Sequence, residues 1–160
     1  MGGIYDLLCF FLFYNMEKSN YHELKLGTSF VTPQNMKDFP ERGILPIFAI
    51  RNISNSNLIG GWQGTAVHFK ALSPSVELLR QYRDGQIGWS EYKAKFTQEM
   101  SGLDFVEILK RISFLCDLSG AKGAVLMGFG KDYTRCHRSV LAEIINGCGF
   151  LDSEVKEFIL

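Results

Sequence analysis

The sequence predicts a single α/β domain in which a mainly parallel, Rossmann-like sheet is flanked by helices. Three observations predict it. Short apolar runs at 44–50 (ILPIFAI) and 124–129 (AVLMGF) are bounded by turn signals, as strands buried on both faces are. Segments with helical apolar spacing separate such runs, and strands alternating with helices favour a parallel sheet. Finally, 160 residues with 46% hydrophobic and 21% charged content suit one globular core and exclude intrinsic disorder.

The elements follow in chain order. Residues 23–26 form a short strand running into a turn at Gly27-Thr28-Ser29. Residues 32–43, with Pro33, Pro40 and Gly43, read as a loop or a broken helix. The strand at 44–50 ends at Arg51 and Asn52, and a polar, glycine-containing loop carries Trp62 to another strand at 66–69. Ser73 as a cap and Pro74 at the first helical position open a helix to about Tyr82, and Asp84-Gly85 stops it. Ser90 caps a second helix over 91–100. Ser101 precedes a third, with Phe105, Ile108, Leu109, Ile112, Leu115 and Cys116 at helical spacing and Gly120 as its stop. The strand at 124–129 is followed by a helix over 138–146, ended by Gly147. The final SEVKEFIL segment, 153–160, reads as helical.

Seventeen Lys and Arg balance seventeen Asp and Glu, which excludes binding of nucleic acid or anionic lipid through overall charge. Any such binding is local, weak without a specific site, and sensitive to salt. Cys9, Cys116, Cys136 and Cys148 show no metal-ligand spacing, and histidine occurs only at 22, 68 and 137. No metal and no cofactor are therefore expected. The apolar run from Leu7 to Tyr14 is too short to span a bilayer and lacks a basic start and a cleavage site. Residues 1–15 are set apart as an N-terminal extension whose role the sequence leaves open, a membrane-surface anchor being one alternative. Residues 16–160 form the domain, with a cytoplasmic location and no membrane partner expected.

The chemistry concentrates in MGFGKDYTRCHRS, 127–139, between the best strand and its helix. In open α/β sheets, ligands bind beyond the carboxyl ends of strands, where helix N-termini offer free N–H groups. Gly128 and Gly130 allow close backbone approach. Lys131, Arg135 and Arg138 bring three positive charges, and His137 and Ser139 add donors. Together they make an anion site suited to a phosphate, although neither a full dinucleotide fingerprint nor a Walker A loop is present. Asp132 is the loop's only carboxylate. It suits either activating water and stabilising a developing cation or simply closing an Asx turn or capping a helix. Cys136 lies where the helix dipole, His137 and Arg138 lower a thiol pKa, so it is a possible nucleophile, though without the spacing of a cysteine phosphatase loop.

These residues carry a family resemblance. LGTSF, FAIRN, SPSVELLRQYRDGQIGWSEYKAKF and GKDYTRCHRSVLAEII make the chain, from about residue 24 to 149, similar to the prokaryotic domain-of-unknown-function 488 (DUF488) family, which includes the YeaO-like proteins. The resemblance implies an α/β sandwich with a polar cleft at the strand ends, lined by three turns, and supplies no established activity. Members typically read G-H-S, D-V-R and C-x-E where this chain reads Gly27-Thr28-Ser29, Ala49-Ile50-Arg51 and Gly128-Phe129-Gly130, so the chain is a divergent member. Ser29, Arg51, Cys136, His137, Arg138 and Ser139 are retained.

The functional expectation is an enzyme acting on a nucleotide or nucleic acid. Its most concrete form is an N-glycosidic hydrolase that excises a base, with modified bases and defence against foreign DNA as its setting. Asp132 and His137 are the catalytic candidates. Ser29, Arg51, Gly128, Gly130, Lys131, Arg138 and Ser139 would hold phosphate, and Trp62 and Tyr133 would stack on the base. Small residues at 128 and 130 would make room for a bulky base. The alternatives are a non-catalytic nucleotide- or phosphate-binding module and thiol chemistry at Cys136.

Overall fold

The computed structural model describes residues 20–51 and 67–158. Trp62, Cys9 and the extension at 1–15 lie outside the described residues. The described chain runs β1 (Leu26–Phe30), α1 (Pro33–Glu41), β2 (Ile44–Phe48), β3 (Val67–His68), α2 (Val76–Arg83), α3 (Trp89–Met100), α4 (Phe105–Ser119), β4 (Gly123–Gly128), α5 (His137–Cys148) and β5 (Lys156–Glu157). Five strands form one sheet in the order β3-β2-β4-β1-β5, and every pairing is parallel. The α/β class predicted from the sequence is the observed one.

Several boundaries differ from the sequence reading, each for a physical reason. Gly27-Thr28-Ser29 is not a turn but the body of β1, with Thr28 and Ser29 buried. Gly27 is required there because β5 runs so close: a Cβ would sit 2.7 Å from the Phe158 ring and 3.3 Å from the Lys156 carbonyl oxygen. Residues 33–41, expected as a loop or a broken helix, form one helix that takes Pro40 within it. Thr32 caps it by accepting from the Asn35 N–H at 3.0 Å, and Pro33 takes the first turn, where its missing N–H is no loss.

Pro46 lies inside β2, yet β3 pairs only with Ile47 and Phe48. The Phe48 carbonyl accepts from Phe69 on that side, so the Pro46 nitrogen points toward the β3 side, where no described residue pairs with it. Helix starts shift by a few residues: Ser75 caps α2 and Asp104 caps α4 through their side chains, while α3 begins after Gly88 with no side-chain cap. Helix α5 continues through Gly147 to end on Gly149 in the left-handed region. The C-terminal segment is a strand, not a helix. Backbone pairing with β1 decides it, through Gly27 with Lys156 and Thr28 with Glu157, and the Phe158 N–H donates to the Thr28 carbonyl at 2.6 Å.

The sheet has two cores. One face packs Leu26, Leu45, Ile47, Ala49, Ala124 and Leu126 against the helices α2 to α5. The other packs Phe48, Val125 and Met127 against Met36 and Phe39 of α1. The connection leaving β1 therefore crosses one face while that leaving neighbouring β4 crosses the other. Adjacent strands whose connections diverge in this way open a crevice at their carboxyl ends, the usual ligand position in such sheets.

Candidate reaction centre at the strand ends

The segment after β4 is shaped by local capping. Asp132 accepts from the Thr134 N–H at 2.9 Å and the Thr134 hydroxyl at 2.6 Å, which starts a single 3-10 turn over Tyr133–Arg135. These bonds, the hydroxyl first, hold the Asp132 carboxyl below its ordinary range against a small effect of burial. Asp132 is exposed and serves as a cap. The chain then straightens at Cys136, which occupies the N-cap of α5 and brings its thiol beneath the loop.

Cys136 and His137 form the centre of the site. Both are buried, and Cys136 Sγ lies 3.7 Å from His137 Nδ1. The other ring nitrogen, Nε2, meets the carbonyl oxygen of Ala49, just past the end of β2, at 2.5 Å. A carbonyl only accepts, so Nε2 carries a proton, and Nδ1 is the ring nitrogen that faces the thiol. Phe96 of α3 packs edge-on against the same ring at 5.8 Å. Burial works against ionisation of Cys136. The hydrogen bond to His137 and the His137 charge, then the Arg138 N–H and the Arg138 charge, outweigh it, and the thiol is lowered to about 7. Cys116 shows the opposite case: buried in α4, it is pushed up to about 11 by burial and by Asp117.

Gly128 and Gly130 are small for the sake of this pair. A Cβ at Gly128 would lie 3.2 Å from His137 Cε1, and one at Gly130 would lie 3.2 Å from Cys136 Sγ. Neither glycine has a positive φ, so a larger residue at either position would meet a constraint of space rather than of backbone conformation. The room expected for a bulky base is filled by Cys136 and His137 themselves.

Arg138 differs most from the sequence reading. Its side chain is wholly buried and paired with Glu157 of β5, through Nε to Oε2 at 3.2 Å and Nη2 to Oε1 at 3.0 Å. Thr28 donates its hydroxyl to the same Oε2 at 2.7 Å. The guanidinium also donates to the carbonyl oxygens of Gly130 and Lys131. Burial opposes its charge, but the hydrogen bond to Glu157, followed by the neighbouring Cys136 and the Glu157 charge, more than offsets this and raises its pKa. Arg51 instead donates through Nε to the Pro74 carbonyl at 2.9 Å. The two guanidiniums are thus held by different partners, and among the described residues no contact joins them. Arg138 is a structural cation of the site, not a free anion ligand.

The remaining candidates divide. Ser139 spends its hydroxyl on the Cys136 carbonyl at 2.8 Å, and Ser29 is buried between Asn35 and the Phe158 carbonyl. The Tyr133 ring lies 5.5 Å from the Arg138 guanidinium carbon, so that ring face meets protein. Lys131 and Arg135 are exposed, and neither makes an ion pair among the described residues. Phe129, 37% exposed, stands beside them. Among the described residues no cluster of three or more His, Cys, Asp or Glu side chains could hold a metal ion, and no helix is long and apolar enough to cross a membrane.

Residues that the sequence reading missed complete the site. Ala49 and Phe96 orient His137, and Tyr92 stacks on Phe96 at 6.2 Å. Burial first, then the neighbouring Cys136, pushes the Tyr92 phenol well above its usual range. The four-residue spacing of Tyr92 and Phe96 was the available signal, since it puts both rings on one face of a helix. Glu157 carried none, being one of three charged residues in the terminal SEVKEFIL segment.

A family model described as the active DUF488-N3 subclade matches residues 48–149, which covers the end of β2 through α5. No curated protein and no solved structure matches the chain.

Proposed function

This chain belongs to the DUF488 family, and from that premise we propose that it is an enzyme acting on a nucleotide or nucleic acid, with Cys136 and His137 as its reaction centre. The observation that carries this reading is the Cys136 Sγ to His137 Nδ1 contact of 3.7 Å, with the ring fixed from behind by the Ala49 carbonyl. A nucleophile beside a base, and that base oriented by a third group, is the arrangement of covalent catalysis. Exposed Lys131, Arg135 and Phe129 supply two cations and a ring at the surface of the same loop, which suits phosphate contact and base stacking.

The reaction we assign is N-glycosidic hydrolysis. His137 Nδ1 takes the thiol proton, and the thiolate attacks the sugar's anomeric carbon as the carbon–nitrogen bond breaks. The base departs with that electron pair and receives the proton from His137. Water, deprotonated by His137, then releases the sugar from sulfur. A second route keeps the bond cleavage but assigns cation stabilisation to Asp132, and its favouring observation is that Thr134 keeps the carboxylate ionised.

The test is base release from nucleoside monophosphates and from single- and double-stranded DNA, with and without modified bases, read by mass spectrometry of the free base. The reading expects release that falls by about a hundredfold or more in Cys136→Ser and His137→Asn. Release that survives in Cys136→Ser but is lost in Asp132→Asn assigns the step to the carboxylate. Nucleotide binding without release from any substrate overturns the enzymatic reading in favour of a binding module.

A further inference from the structure

We propose that Glu157 is a positioning residue of the reaction centre: through Arg138 it holds the backbone of Gly130 and Lys131 as a wall against Cys136. The inference rests on the reading of Cys136 as the reactive group and extends the site to a strand, β5, that lies outside the matched segment.

The contacts form a chain of fixed geometry. Thr28 on β1 donates to Glu157 Oε2 at 2.7 Å, which fixes the carboxylate's orientation. Both carboxylate oxygens grip the buried Arg138 guanidinium, a two-point pairing that sets its plane as well as its position. Nη1, which the carboxylate does not engage, donates to the Gly130 carbonyl, and Nη2 donates to the Lys131 carbonyl as well as to Glu157. Gly130 in turn is packed so closely on Cys136 that an added Cβ would stand 3.2 Å from Sγ and 3.3 Å from Cβ. Releasing Glu157 therefore frees the guanidinium first, then the loop, then access to sulfur.

Charge follows the same path. The ionisable groups around Cys136 are His137 and Arg138 on α5 and Tyr92 on α3. Glu157 on β5 acts through Arg138, against which Tyr133 and Asp132 also lie. A carboxylate on Arg138 tempers the pull of that cation on the thiolate.

Alkylation of Cys136 by iodoacetamide, followed against pH and assigned by mass spectrometry in the full-length chain, separates the two effects. Glu157→Gln is expected to raise the high-pH plateau rate several-fold, because the wall loosens. It is also expected to move the midpoint down by about half a pH unit, because Arg138 is no longer neutralised. Thr28→Val, which removes the orienting hydroxyl without changing charge, raises the plateau and leaves the midpoint in place. A folded Glu157→Gln protein with an unchanged plateau, or with a midpoint that stays or rises, overturns the proposal while leaving Cys136 as the reactive group. A wild-type midpoint in the ordinary thiol range overturns both.

Discussion

At Cys136, three influences act on one sulfur: burial that disfavours charge, and a histidine and a buried arginine that favour it. The balance depends on glycines that let the loop lie flat on the thiol. Gly130→Ala puts a methyl group 3.2 Å from Sγ and 3.3 Å from Cβ, so it should destabilise the fold by about 1–3 kcal/mol in urea unfolding. Arg138→Ala should do more. It leaves the Glu157 carboxylate in a largely buried place without its partner, and a loss of about 3–5 kcal/mol is expected in the same measurement.

The candidate segment stood out in the sequence because glycines, a cysteine–histidine pair and a helix start are contiguous at 128–139. The sequence could not assign Arg138 its role. The partner, Glu157, is 19 residues away on a strand whose pairing is set by β1. For the same reason the Ala49 carbonyl, 88 residues from His137, left no local signal.

Element by element, apolar period was a better guide than capping. β2 and β4 were legible as continuous apolar runs because both lie inside a parallel sheet covered on its two faces. The starts of α2, α3 and α4 were misplaced because several serines compete nearby, and only the geometry of the turn selects the residue that caps. Asp104 shows the selection: its carboxylate accepts from the Glu107 N–H at 3.0 Å, ahead of an apolar helix face. Asp104→Ala is expected to lower stability by about 1 kcal/mol in urea unfolding, and Ser101→Ala by distinctly less. β5 was illegible as a strand since its two paired residues owe their conformation to β1 alone.

At the scale of the whole molecule, two buried thiols among the described residues, Cys136 and Cys116, give stability a pH dependence of opposite signs. The folded pKa of Cys136, about 7, lies below the ordinary thiol value of 9.0, so ionisation favours the folded state. That stabilisation is complete above about pH 9 and is lost as the pH falls through about 7. Cys116 behaves in reverse. Raised to about 11, it stays neutral in the fold while the unfolded chain ionises, and stability declines as the pH rises above 9. Urea unfolding under reducing conditions should show stability rising by roughly 2 kcal/mol from pH 7 to pH 9, with the rise abolished in Cys136→Ser.

The sheet order puts this thiol just past the carboxyl end of β4 and its histidine against the chain leaving neighbouring β2, where the fold gathers residues from distant parts of the chain. The most direct measurement is the rate of Cys136 alkylation against pH, in the wild-type protein and in His137→Asn. The account predicts a wild-type midpoint near 7, shifted upward toward the ordinary thiol value once the imidazole is gone. A wild-type midpoint already at that ordinary value, or one that the substitution leaves in place, would contradict it.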